Sequence, residues 1–279
     1  NGVESGAAYV LFGHAGSFTS LDLATPLDGN NGFSIAGLTA GDWTGASVSA
    51  AGDVNGDGIA DMIIGTATPL GTPASATAYV VFGNASRFGA SMDLAALNGT
   101  NGFSLFGAGT GVRLIGFGKS HYAVRAAGDV NGDGFGDVII GAPYADTPHG
   151  PTGAAYVVYG KAGGFDSSVD LANLSPVLGF KIIGAEAGDR AGYAVSTAGD
   201  VNGDGYGDLI IGAPSAQQNG SPAGTSYVIF GKDSGFGTVD LANLGNDGFR
   251  ISAAAPHNDS GYAVSAAGVP LVADHAWSF

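Results

Sequence analysis

Asp53-Val-Asn-Gly-Asp-Gly-Ile-Ala-Asp61 returns as Asp129-Val-Asn-Gly-Asp-Gly-Phe-Gly-Asp137 and again as Asp200-Val-Asn-Gly-Asp-Gly-Tyr-Gly-Asp208. Each copy is Asp-x-Asn-x-Asp-Gly-x-x-Asp, a spacing that gathers hard oxygen donors around a calcium ion. The copies begin 76 and 71 residues apart. Self-similarity at long fixed periods points to a propeller or a solenoid.

Three further markers keep the same phase. Gly32-Phe-Ser-Ile35 is echoed at Gly102, Gly179 and Gly248; Ala78-Tyr-Val-Val-Phe-Gly83 at Ala8, Ala155 and Ser226; Ala46-Ser-Val-Ser49 at Tyr122, Tyr193 and Tyr262. Each marker is a short run of β-branched and aromatic residues bounded by Gly, Asn or Asp, which reads as a strand. No segment has convincing helical periodicity. The order per repeat is a first strand (47–51), the acidic loop, a second (61–64), a third (78–82) and a fourth (103–106). Four antiparallel strands per unit make a propeller blade.

The fold class expected is therefore all-β, a β-propeller of four-stranded antiparallel blades in a single domain over 1–279. Three whole blades span about 46–106, 121–183 and 192–252. The chain starts with a third strand (7–12) and a fourth (33–35), and finishes with a first (262–266) and a possible second (271–273). These halves, 261–279 with 7–36, make one composite blade, and their pairing closes a four-bladed ring without exposed strand edges. The alternative is a fragment of a longer ring.

The formal net charge is -15, with 22 Asp against only Glu4 and Glu186. Asp suits turns and calcium loops, whereas helical surfaces favour Glu. Without a basic stripe, nucleic acid is excluded as a partner. No apolar run approaches the 18 residues that span a bilayer. The chain contains no Cys, so metal ions are the available staples. It opens Asn1-Gly-Val-Glu-Ser5, without Met or a visible cleavable signal, as if processed or cut from something longer.

Residues at the strand ends add Gly141-Ala-Pro143 and Gly212-Ala-Pro214, with Gly65-Thr-Ala67 in the first repeat, and a Gly before the first strand at 45, 192 and 261 where the second repeat has His121. With the acidic motifs, these features make the chain resemble the FG-GAP repeat of integrin α subunits and of many bacterial extracellular proteins. The resemblance implies a propeller with Ca²⁺ in the loop between each blade's first two strands, and seven blades as the common ring. It also implies an extracellular or cell-surface adhesion or interaction module. The last repeat lacks the acidic motif: Gly268-Val-Pro-Leu-Val-Ala-Asp-His-Ala-Trp-Ser-Phe279 stands in its place.

Three Ca²⁺ ions per chain are expected. The side chains of Asp53, Asn55, Asp57 and Asp61 and the carbonyl of Ile59 form the first cage. Asp129, Asn131, Asp133, Phe135 and Asp137 form the second, and Asp200, Asn202, Asp204, Tyr206 and Asp208 the third. Gly58 permits the reversal at position 6. Position 12 is Ile64, Ile140 or Ile211 instead of the Glu an EF-hand needs, so the loops are β-hairpin sites. Asp-Gly and Asn-Gly also favour plain hairpin turns, but three loops with all four side-chain positions filled favour the ion. Mg²⁺ fits less well, because it demands a small rigid octahedron.

The loops after the second and fourth strands share the face opposite the acidic loops. One of them, Gly107-Ala-Gly-Thr-Gly-Val-Arg-Leu-Ile-Gly-Phe-Gly-Lys-Ser120, is longer than its equivalents. Around it stand Arg113, Lys119, His121 and Arg125, in a chain with nine Lys and Arg together. With Trp43 they form a candidate ligand face for a protein or an acidic polysaccharide; the plainer reading is that these cations neutralise nearby Asp. His149 and His257 are expected on the same face. No catalytic constellation stands out. The enzymatic alternative is a calcium-dependent lyase or hydrolase acting on polysaccharide, with His121 and Tyr122 as base and acid.

Overall fold

Every acidic motif in the computed structural model joins two antiparallel strands. The residues described are 3–13, 23, 26–67, 78–86, 88–108, 123–233 and 235–266. The chain opens with β1 (Ala7–Leu11) paired to β2 (Gly32–Ala36). The first repeat gives β3 (Ser47–Gly52), β4 (Asp61–Gly65), β5 (Ala78–Val81), the short β6 (Ser91–Asp93) and β7 (Gly102–Phe106). The second gives β8 (Val124–Gly128), β9 (Asp137–Ala142), β10 (Ala154–Val158), the short β11 (Ser168–Asp170) and β12 (Gly179–Ile183). The third gives β13 (Ala194–Gly199), β14 (Asp208–Ala213), the small hairpin β15 (Gln217–Gln218) and β16 (Ser221–Pro222), then β17 (Thr225–Ile229), β18 (Val239–Asp240) and β19 (Gly248–Ser252).

Three four-stranded antiparallel sheets result: β3-β4-β5-β7, β8-β9-β10-β12 and β13-β14-β17-β19. They pack face to face in chain order, with β8 lying between β3 and β13. The middle strands are covered on both faces, which is why Val138-Ile-Ile140 and Leu209-Ile-Ile211 read as continuous apolar runs instead of alternating. Their period of two sends successive side chains to different interfaces. Ile63, Val80, Phe103 and Leu105 enter the core shared with the second sheet. Ile64, Tyr79 and Val81 enter the core shared with β1 and β2. Each such buried side chain stabilises by about 1.5–3 kcal/mol, and the interfaces between sheets are where the cores lie. The architecture is all-β and consistent with a β-propeller.

Two features were not foreseen. The first is the trio β6, β11 and β18. Each leaves its own repeat between the third and fourth strands, reaches back, and pairs in parallel with the outer strand of the preceding sheet: β6 with β2, β11 with β7, β18 with β12. The second is a bulge where β3, β8 and β13 end. The register shifts between Ala50 and Gly52, Ala126 and Gly128, and Thr197 and Gly199. These glycines have φ of 82°, 87° and 79°, a left-handed conformation that a Cβ disfavours. The extra residue bends the strand end and delivers Asp53, Asp129 and Asp200 into their turns.

The expected strands agree with the observed ones to within a residue, with one exception. Residues 262–266, read as a first strand, carry no strand pairing. Their expected partner, 271–273, lies outside the described residues. No described helix is long and apolar enough to cross a membrane.

Candidate metal-binding loops

The first carboxylate of each motif organises its turn. Asp53 accepts hydrogen bonds from the amides of Gly56, Asp57 and Gly58 at 2.8–3.0 Å. Asp129 accepts from Asp133 and Gly134, and Asp200 from Gly203, Asp204 and Gly205. The Asn55 carbonyl oxygen takes the Asp57 amide, and Asp57 takes the Ile59 amide. Nested turns of this kind are what Asx side chains build, and here they hold positions 1, 3 and 5 on the inside of one bend. The Asn amide donates to the position-5 carboxylate at 3.0, 2.8 and 2.7 Å in the three loops.

The closing aspartate does a different job. Asp61 accepts from the amides of Val54 and Gly83, Asp137 from Val130 and Gly160, Asp208 from Val201 and Gly231. Each therefore pins its loop to the end of the third strand, which sequence spacing alone did not reveal. All three are buried. Burial pushes the Asp61 carboxyl up to about 6 and Asp137 to about 7, and raises Asp208 as well. Their backbone amide donors oppose the shift, while the other carboxylates of each loop add to it.

Neighbouring loops also touch. The residue at position 7, read from sequence only as a carbonyl donor, uses its ring as well: Phe135 lies against Gly56, and Tyr206 against Gly132. A Cβ on Gly56 would meet the Phe135 ring at 2.3 Å, and one on Gly132 would meet Tyr206 at 2.4 Å. The backbone repeats the link. The Gly136 amide donates to the Asp53 carbonyl, and Gly207 to Asp129. The three loops form one row along a single face.

The donor chemistry fits a hard cation, with three carboxylates and an amide oxygen inside each nine-residue turn. The side chains are not drawn to a common point. Among the described residues, no three His, Cys, Asp or Glu groups form a set that could hold a metal ion. Their oxygens bond loop amides instead.

On the opposite face, Trp43 is half-buried at a left-handed corner, φ 49°, the position filled by Arg190 (60°) and Asp259 (48°) in later repeats. Arg125 is exposed on β8, and its guanidinium donates to the Val124 carbonyl and to Ser47 on the neighbouring sheet. Arg113, Lys119 and His121 lie outside the described residues, as does Tyr122, so the acid–base pair of the enzymatic alternative is not described. His149 is engaged by Asp240 of β18 at 2.9 Å. The His257 amide bonds the Pro222 carbonyl.

Three segments, residues 44–80, 123–158 and 191–229, match the FG-GAP repeat family. Each begins just before a first strand and ends in or at the close of a third. The chain is similar to Integrin alpha pat-2 of Caenorhabditis elegans, 32% identical over 167 residues, 54% of this chain and 13% of that protein. It is 29% identical over 182 residues to Integrin alpha-PS5 of Drosophila melanogaster and 29% identical over 184 residues to Integrin alpha-4 of Xenopus laevis, covering 63% and 65% of this chain. The matched part is 15% of each of those two relatives.

Proposed function

From the standing of this chain as an FG-GAP repeat protein resembling integrin α, we propose that it is an extracellular, adhesion-related interaction module built as a calcium-stabilised four-bladed propeller. The observation that carries the reading is the row of three acidic loops inside three FG-GAP repeats. Asp53, Asn55, Asp57, Asp61 and the Ile59 carbonyl would hold one Ca²⁺, and the equivalent residues 129–137 and 200–208 the other two. Bound calcium would supply positive charge to loops that concentrate three carboxylates each. The chain's own part is to bring those groups onto the inside of one bend. The closing aspartates then tie the bend to the third strand, so that ordering a loop orders the sheet edge. Calorimetric titration of Ca²⁺ into chelator-stripped protein is expected to give a stoichiometry near three; a value near zero overturns the calcium reading.

The partner proposed is a protein or an acidic polysaccharide, bound on the face opposite the loops. Arg125 supports this as an exposed cation in a strongly acidic chain, at a position where the other repeats have Ser49, Ser196 and Ser265. Arg125→Ser is expected to reduce retention on immobilised polygalacturonate. Unchanged retention removes the polysaccharide and leaves a protein ligand.

A further inference from the structure

One planar unit recurs where neighbouring acidic loops meet. The peptide joining Phe135 to Gly136 is trans, so its carbonyl and its amide point in opposite directions across a rigid plane. The carbonyl belongs to position 7 of the second loop, the backbone donor expected for its cation. The amide donates to the carbonyl of Asp53, position 1 of the first loop, at 2.8 Å. The Tyr206–Gly207 peptide repeats the arrangement, its amide on the Asp129 carbonyl at 2.7 Å. The side chains reinforce the link. The Phe135 ring lies against Gly56, between positions 3 and 5 of the first loop, and the Tyr206 ring against Gly132 of the second. Two consecutive amides divide in the same way. Gly160 donates to Asp137 of its own loop and Lys161 to the Val54 carbonyl of the loop before; Gly231 and Lys232 do so for Asp208 and Val130.

The links have a direction, each loop reaching back to the one before it. Ile59, at position 7 of the first loop, lies against Gly83 of its own repeat. Gly203, the third-loop counterpart of Gly56 and Gly132, faces no described atom within 4 Å.

We propose that these two peptides couple the three loops into one cooperative cation-binding unit, with the Phe135 and Tyr206 rings as positioning groups. This deepens the calcium reading and rests on it. A carbonyl drawn towards a cation polarises its own peptide, and the amide at the other end becomes a better donor. The Asp53 carbonyl is then held more firmly at the start of the first loop, while the Phe135 ring keeps Gly56 and its flanking Asn55 and Asp57 in place. Ordering the second loop therefore leaves less ordering for the first to undergo, which is positive cooperativity. Among the described residues the first and third loops share no such peptide, so their coupling runs only through the second.

Removing one carboxylate from position 5 tests this, because the choice of loop decides whether the two remaining sites are neighbours. In calorimetric Ca²⁺ titration of chelator-stripped protein, Asp204→Ala leaves the first and second loops adjacent, and binding at one should raise affinity at the other at least about fivefold. Asp133→Ala leaves the first and third loops apart, and their sites should titrate independently. Phe135→Leu added to Asp204→Ala should reduce the coupling; Phe135→Tyr, the residue type of the third loop, should keep it. As a second readout, Ca²⁺ should slow exchange of the Gly136 amide in the parent and in Asp204→Ala, and not in Asp133→Ala. Where Asp133→Ala does not fold, the Phe135→Leu comparison decides alone. Equal cooperativity in the Asp133 and Asp204 variants overturns the proposal. So does independent binding in the parent at a stoichiometry near three, which leaves the calcium reading standing. A parent that binds no Ca²⁺ removes both.

Discussion

Asp189 is buried in the loop between β12 and β13, and burial, with Glu186 beside it, pushes its carboxyl up to about 6. The Glu186 amide donates to it and pulls the other way. Its folded value is raised above the ordinary 3.8. The contribution to stability is thus full below about pH 3.8 and is lost as pH rises through about 6. Asp189→Asn keeps an oxygen for the Glu186 amide and removes the charge. Its melting temperature should exceed the parent's at pH 7.5, with the gap closing below pH 4. A gap that persists at pH 3.5 would show that charge is not the cause. A second residue-scale test separates strain from crowding. Gly132 and Gly203 share a φ near 75°, but only Gly132 faces a ring, Tyr206. Gly203→Ala should cost about 1–2 kcal/mol for the left-handed backbone. Gly132→Ala should cost about 1–3 kcal/mol more for the overlap, measured by denaturant unfolding.

Among elements, β6, β11 and β18, each lent by its repeat to an acceptor edge on the preceding sheet, carry the most testable weight. Phe165 is buried and stacked on Phe103 of the preceding sheet. Phe165→Ala should therefore cost about 3–5 kcal/mol and expose the outer edge formed by β7, with increased dye binding as a second readout. The main strands were legible because a buried strand must be an apolar run and the chain repeats each run in phase. The acidic loops were legible because their residue types leave few alternatives at that spacing. The lent strands were not, since two or three residues such as Ser168-Val-Asp170 have no periodicity of their own, and their pairing is set by a sheet elsewhere in the chain. The recurring Asp-Leu-Ala at 22, 93, 170 and 240 was the available signal. The roles of Phe135 and Tyr206 were hidden for a related reason. Their contacts are between repeats, whereas the motif is read within one.

At the scale of the molecule, the calcium reading predicts that chelation lowers the melting temperature. Ligand bound only to the native state stabilises by about 2.7 kcal/mol per site at a hundredfold excess over Kd. Asp133→Ala should reproduce part of the loss. Because the middle loop touches both neighbours, it should also weaken binding at the other two sites. Melting indifferent to EDTA would leave the ions without a structural role. The four-bladed reading predicts that deleting residues 1–36 destabilises the whole chain. β1 and β2 share a core with the first sheet, so some loss follows from packing alone. Ring closure requires more, namely a loss that reaches β19 at the far end, readable as faster amide exchange in residues 248–252.

The backward reach of β6, β11 and β18 puts the unit of folding out of step with the unit of repetition. A window one period long, opened at any residue, contains one lender and one acceptor. Copying such a window in tandem adds both together and leaves the number of unmatched edges unchanged. Gene duplication in this architecture therefore needs no privileged boundary, and arrays can lengthen or shorten by whole periods from any breakpoint. Truncation enjoys no such freedom, because a cut between an acceptor and the lender that follows it leaves one of the two unmatched.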